Sequence, residues 1–140
     1  MNIVIENEQL LTDRFGCWPS FHDAEVVRAR FERKGADAPF MEVAIHVFKM
    51  TSDVDAKGHY VLKTHTLVTI RFCEIDLEEF NGWNHQNSLW SLVIESANPS
   101  ALPGGEDNLI AVAFRTNYGC ELKLTCKAVK VLAAEDWTKD

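Results

Sequence analysis

YVLKTHTLVTIRF, residues 60–72, decides the fold class. Tyr60, Leu62, Thr64, Thr66, Val68, Ile70 and Phe72 fall on one face, and Lys63, His65, Thr69 and Arg71 on the other. A period of two sustained over this length is the pattern of a β-strand with one side on a core. The apolar face is rich in the β-branched and aromatic residues that strands favour.

Upstream, residues 40–50 place Met41, Val43, Ile45 and Val47 on one face and Glu42, Ala44, His46 and Phe48 on the other, so this strand is expected to be covered partly on both sides. A polar loop is expected from Thr51 to His59. Residues 24–34 carry conflicting signals. Ser20 with Asp23 imitates a capping box and Gly35 a helix stop, whereas Val27, Ala29 and Phe31 alternate with Arg28, Arg30 and Glu32. The alternation is the cleaner pattern and predicts a strand, with the turn GADAP, Gly35 to Pro39, closing a hairpin onto residues 40–50. Leu10, Leu11 and Phe15 at near-helical spacing predict a short helix over Glu6 to Phe15 that Gly16 stops. WPSFHD, Trp18 to Asp23, then reads as a turn, because Pro19 prevents the helix from continuing.

Downstream, the alternation runs on through Ile75 and Leu77, leaving Glu74, Asp76 and Glu78 as an acidic row on the opposite face. Such a row suits a solvated edge that discourages strand pairing, or a docking surface. NGWNHQN, Asn81 to Asn87, reads as a loop, Leu89 to Ile94 as a short strand, and Asn98 to Asn108 as a turn-rich connection. Leu109 to Thr116 and Cys120 to Leu132 read as a final hairpin joined at Asn117, Tyr118 and Gly119. The expected fold is α+β, mainly β: a curled antiparallel sheet or two-layer sandwich of about six to eight strands with a short N-terminal helix, in one domain spanning residues 1–140.

Composition bounds the function. The 140 residues carry a formal net charge of -7, which opposes a duplex-binding role because phosphate contacts need clustered Lys and Arg. A basic partner suits this balance better. No apolar run is long enough to span a bilayer, and MNIVIENEQLL lacks the basic flank and apolar core of a leader, so a cytoplasmic location is expected. Cys17, Cys73, Cys120 and Cys126 include no Cys-x-x-Cys pair, and reduced thiols are expected. Neither a metal nor a cofactor is expected.

His22, Asp23 and Glu25 form the densest titratable cluster and could serve an enzyme as base or metal site if they converged with His85. Along a strand, however, Asp23 and Glu25 share a face that His22 does not, and a turn role for Asp23 or Ser20 is the plainer alternative. His46, His65 and His85 show no metal-ligand spacing. The chain has no nucleophile elbow and no phosphate-binding or dinucleotide-binding glycine loop. Trp18 and Trp83 lie in turn-rich segments where an indole can anchor a partner, whereas Phe21 and Trp90, beside apolar strands, read as packing residues.

WPSFHDAEV (residues 18–26), FNGWNHQNSL (residues 80–89) and GCELKLTCKAVKV (residues 119–131) together resemble the immunity protein 50 family, in the same order along the whole chain. The resemblance implies a cytoplasmic protein of bacterial polymorphic toxin systems that binds a cognate toxin domain and blocks it without turnover. It supplies no binding residues. The residues themselves nominate Trp18, His22, Glu25, Glu74, Asp76, Glu78, Trp83 and His85 as candidate partner-binding positions, and the charge balance is compatible with a basic toxin as partner. Two alternatives stand beside this reading: an enzyme using His22, Asp23 and Glu25, and a self-associating structural subunit built on the strand at residues 60–72.

Overall fold

The structure is a computed structural model and describes residues 3–97 and 109–138. Nine strands and one helix follow in the order β1 (Ile5–Glu6), α1 (Gln9–Phe15), β2 (Glu25–Glu32), β3 (Phe40–Val54), β4 (Tyr60–Cys73), β5 (Asp76–Asn81), β6 (Ser88–Ser96), β7 (Ile110–Tyr118), β8 (Glu121–Cys126) and β9 (Ala128–Asp136). The turn-rich stretch from Asn98 to Asn108 lies outside the described residues. All nine strands belong to one sheet, ordered β1-β9-β4-β3-β2-β6-β7-β8-β5.

The alternation at residues 60–72 forms β4, hydrogen-bonded on one side to β3 and on the other to β9. Its apolar residues Val68, Ile70 and Phe72 are fully buried beside Met41, Val43, Ile45 and Val47 of β3. Residues 25–32 form a strand as expected, and α1 ends where Gly16 adopts φ 81 and its N–H closes onto the Thr12 carbonyl. Leu11 and Phe15 on α1 enter the same core.

The sheet folds over on itself. Phe72 of β4 and Phe114 of β7 meet edge to face with ring centroids 6.2 Å apart, although three strands separate them in the sheet. In a flat sheet four strand spacings of ~4.8 Å would hold them roughly 19 Å apart. The fold line is the junction of β2 with β6, where the ladder consists of one pair, Glu25 opposite Ser88. Backbone bonds extend this junction: Val26 N–H to the Asn87 carbonyl at 2.9 Å, Leu89 N–H to the Ala24 carbonyl at 2.8 Å, and Asp23 N–H to the Leu89 carbonyl at 2.8 Å. Two half-sheets, β1-β9-β4-β3-β2 and β6-β7-β8-β5, thus enclose one core.

Five expectations need correction. The sheet is mixed, because β1 runs parallel to β9, and it has nine strands; a two-residue strand is too short to leave a period. Residues 51–54 extend β3 instead of joining the loop, with Val54 opposite Tyr60. In β2 a bulge falls between Val26 and Arg28, so Val26 is buried and Val27 exposed. The acidic row is not one strand face: Glu74 turns the chain at φ 52, and β5 restarts at Asp76 on the far edge of the sheet. The expected strand from Cys120 to Leu132 is two strands, because the chain passes at Lys127 from β7's neighbour to β4's neighbour.

The outer face of the first half-sheet carries an ion network. Arg30, Glu42, Arg71 and Lys130 are successive cross-strand partners on β2, β3, β4 and β9. Glu42 accepts from Arg71 at 2.5 and 2.8 Å and from Arg30 at 3.2 Å, while Asp37 accepts from Arg71 at 3.0 Å and from Lys130 at 3.2 Å. Hydrogen bonds from Arg71 and then Lys130 hold the Asp37 carboxyl below its ordinary value. Burial alone would raise Glu42, but the bonds from Arg71 and Arg30 outweigh it and hold it low as well. A depressed carboxylate contributes stability that is complete above the unfolded-state value and is lost as the pH falls through the folded one. Urea midpoints measured from about pH 7 down to about pH 3 should therefore fall in and below the ordinary carboxylate range. In Glu42→Gln that fall should be shallower. Parallel curves for the two proteins would remove Glu42 as a source of it.

Candidate functional site

The junction of β2 with β6 also organises the surface. The turn before β2 is set by the Ser20 hydroxyl, which accepts the His22 N–H at 3.2 Å, and by Asp23, which adopts φ 65. Asp23 therefore precedes the strand rather than beginning it, and its carboxylate turns outward to accept from the Asn117 amide at 3.1 Å. His22 projects beside it, with Nε2 3.5 Å from Asp23 Oδ2. The imidazole packs edge-on to Trp90 at 4.7 Å and 86°, and its Nδ1 lies 3.2 Å from the Trp90 carbonyl oxygen.

Trp90 is not a packing residue. The register of β6 against β7 slips between Leu89 and Ser91, and the bulge leaves Trp90 59% exposed. Next along the same rim, Tyr118 at the end of β7 is 51% exposed and lies edge-on to His85 at 6.2 Å. Trp83, 43% exposed, contacts Phe80, which meets Phe31 of β2 at 5.4 Å. Contacts thus link Trp90 to His22, His22 to Asp23 and Asp23 to Asn117, while Tyr118, next in β7, meets His85, and Trp83 meets Phe80. Single exposed apolar residues are ordinary, but a band of exposed Trp, Tyr and His side chains near one junction has the composition of a recognition surface.

Beneath the band sits Asn87, 3% exposed. Its Oδ1 accepts from the N–H of Asn84 at 3.0 Å and of Cys120 at 3.2 Å, and its Nδ2 donates to the carbonyls of Asn84 at 3.0 Å and Val26 at 3.3 Å. One amide thereby ties the loop at residues 82–87 to both half-sheets. Sequence reasoning placed Asn87 at the end of a loop and missed this role, since no local pattern announces which amide in NGWNHQN is buried.

Of the nominated positions, His22 contacts Trp90, His85 contacts Tyr118 and Trp83 contacts Phe80, and no contact joins these three to one another among the described residues. Glu25 stands at the junction opposite Ser88. Trp18 is half-buried, packed on the core and on Phe21 at 5.6 Å. Asp76 and Glu78 lie apart on the edge strand of the second half-sheet, and Glu74 in the turn between β4 and β5. Glu74 is 3.7 Å from Lys127, and Glu78 borders a shallow outer groove with Glu95, Arg115 and Lys123 above a floor that includes Ala111 and Ala113.

The other titratable groups are differently disposed. His46 and His65 share a hydrogen bond at 2.9 Å, and His46 stacks on Trp137 at 4.2 Å. Burial, and then the nearby His65, push His46 below the ordinary histidine range. Among the described residues no group of three or more His, Cys, Asp or Glu is arranged to hold a metal ion. Burial raises the thiols of Cys73 and Cys120 to about 11 and that of Cys126 to about 12, so none of the three is a thiolate nucleophile at neutral pH. Among the described residues no helix is long and apolar enough to cross a membrane.

Comparison with known proteins gives one family. The model of immunity protein 50 matches residues 7–136, from the start of the helix to the end of β9. No curated protein and no solved structure matches. The match covers nearly all of the 140 residues, and the chain belongs to the immunity protein 50 family.

Proposed function

We propose that this protein neutralises a cognate bacterial toxin domain in the cytoplasm by binding it stoichiometrically, as one domain and without turnover. The observation that carries the reading is the family match over residues 7–136. Two features support it. The surface around His22 displays exposed side chains of the kinds that serve recognition, among them Trp90 and Asp23. The net charge of -7 favours a basic partner.

The direct experiment is co-purification with the toxin domain encoded by the adjacent reading frame, and rescue of growth when both are expressed. Absence of a complex with that domain, together with no rescue, would overturn the proposal.

The acidic edge is assigned to steering. Rim charges act mainly on association rate and its salt dependence. Reversing Glu74, Asp76 and Glu78 to Lys should slow association about tenfold at low salt and flatten the salt dependence. The urea midpoint should change little, because all three side chains are exposed, lysines protect an edge strand as well as carboxylates do, and the ion pair lost, Glu74 with Lys127, is a surface pair. Unchanged association kinetics at every salt concentration would show that this edge takes no part.

A further inference from the structure

We infer that Trp90, with the Asp23 carboxylate across His22 from it, is the anchor of the toxin interface and receives an arginine side chain of the toxin. The inference rests on the reading of the chain as a toxin-binding protein and adds the surface and the chemistry of its partner.

The first ground is preorganisation. The β6 bulge lifts the indole out of the strand's alternation, and His22 holds it from two sides, packing its ring at 4.7 Å and meeting the Trp90 carbonyl oxygen at 3.2 Å. An exposed large side chain held this way loses little freedom when a partner covers it, which is the property of a binding anchor.

The second ground is charge complementarity. The sheet's other aromatic platform, Phe40, already carries two internal cations, with Arg71 at 4.1 Å and Arg30 at 5.1 Å from its centroid. Among the described residues no such cation lies over Trp90. The charged group on the other side of His22 is the Asp23 carboxylate, whose Oδ1 takes the Asn117 amide and whose Oδ2 lies 3.5 Å from His22, leaving acceptor sites open to solvent. Within β5 to β8 five residues are acidic, Asp76, Glu78, Glu79, Glu95 and Glu121, and two are basic, Arg115 and Lys123. An exposed indole and a carboxylate on the two sides of one imidazole fit a guanidinium. It stacks on the ring and pairs with the oxygen, and its planar fork does both better than an ammonium. The acidic edge then speeds the encounter, while Trp90 and Asp23 slow the release.

The test is dissociation kinetics of the toxin domain encoded by the adjacent reading frame, against the native chain, Trp90→Ala, Trp90→Phe and Asp23→Asn. Trp90→Ala should weaken the complex about thirtyfold or more, chiefly through faster dissociation, and Trp90→Phe should weaken it less. Asp23→Asn should weaken it about tenfold and reduce its salt dependence. Asparagine tolerates φ 65 and can still accept from Asn117, so this variant removes the charge and leaves the turn. Circular dichroism and urea midpoints matching the native chain certify the fold. If the native chain binds and both Trp90→Ala and Asp23→Asn bind within twofold of it, the inference is wrong while the inhibitor reading stands. If Trp90→Ala weakens binding and Asp23→Asn does not, the arginine assignment is overturned. If the native chain does not bind, reading and inference fall together.

Discussion

Replacing Asn87 by alanine is expected to lower the stability by about 3 kcal/mol and the thermal midpoint by roughly 10 °C. The side chain is 3% exposed and all four of its hydrogen bonds go to backbone groups. Removing it orphans the N–H groups of Asn84, at the surface, and of Cys120, which is buried, and a buried donor left without an acceptor costs about 1–3 kcal/mol. The methyl group left behind also leaves a small void that neighbouring strands cannot fill without moving. The loss should be larger than for Asn84 or Gln86, whose side chains are exposed. Differential scanning calorimetry of the three alanine variants tests the ranking, and a midpoint for Asn87→Ala within about 2 °C of native would refute this role, since the expected shift is about five times that.

Gly119→Ala is expected to be as damaging or more so, by about 4 kcal/mol. Gly119 adopts φ 98, and a Cβ there would stand 2.6 Å from the Gln86 carbonyl oxygen, 2.7 Å from Asn87 Oδ1 and 3.0 Å from Asn87 Cα. Two of these three neighbours are backbone atoms, so relief requires the turn to separate from the loop. The left-handed backbone adds roughly 1–2 kcal/mol of strain and the overlap about 1–3 more. Gly58 is the control. At φ 83 in the β3–β4 turn, a Cβ added there would meet nothing within 4 Å, so Gly58→Ala should show the strain alone, about 1 kcal/mol. Equal urea midpoints for the two variants would mean that the contact between Gly119 and Asn87 does not matter.

Both residues act at the fold line, and the fold line is what sequence reading recovered least. Alternation identified β4 and β3 with the face each buries, because a half-buried strand shows its period locally; it identified β2 as a strand but not its buried face, since the bulge after Val26 leaves Val27 and Phe31 exposed. The helix was readable from Leu11, Phe15 and the Gly16 stop. Other features depend on partners distant in sequence. The inward residues run Cys120, Leu122, Leu124, Cys126 and then Val129 and Val131. The step of three at Lys127 is the signal that the strand breaks there and changes half-sheet, and without Gly or Pro to punctuate it the step reads as continued alternation. Two adjacent buried residues, Phe72 and Cys73, mark the end of β4 in the same way.

The site was legible in a comparable part. His22, Trp83 and His85 stood out because they combine recognition chemistry with turn-rich surroundings. Trp90 was assigned to the core on the strength of Leu89 and the apolar residues after it, and the bulge that exposes it has no local signature. The ion network escaped for another reason: Arg30, Glu42, Arg71 and Lys130 come from four strands, and only the register makes them neighbours.

Stoichiometric inhibition is measured by titrating the activity of the purified toxin domain encoded by the adjacent reading frame with increasing amounts of this chain. Activity should decline in a straight line that reaches zero at one molar equivalent and is unaffected by the time of preincubation. Progressive loss of toxin activity at a small fraction of an equivalent would mark turnover, and full activity in the presence of a large excess would mark the absence of inhibition; either result would contradict stoichiometric inhibition.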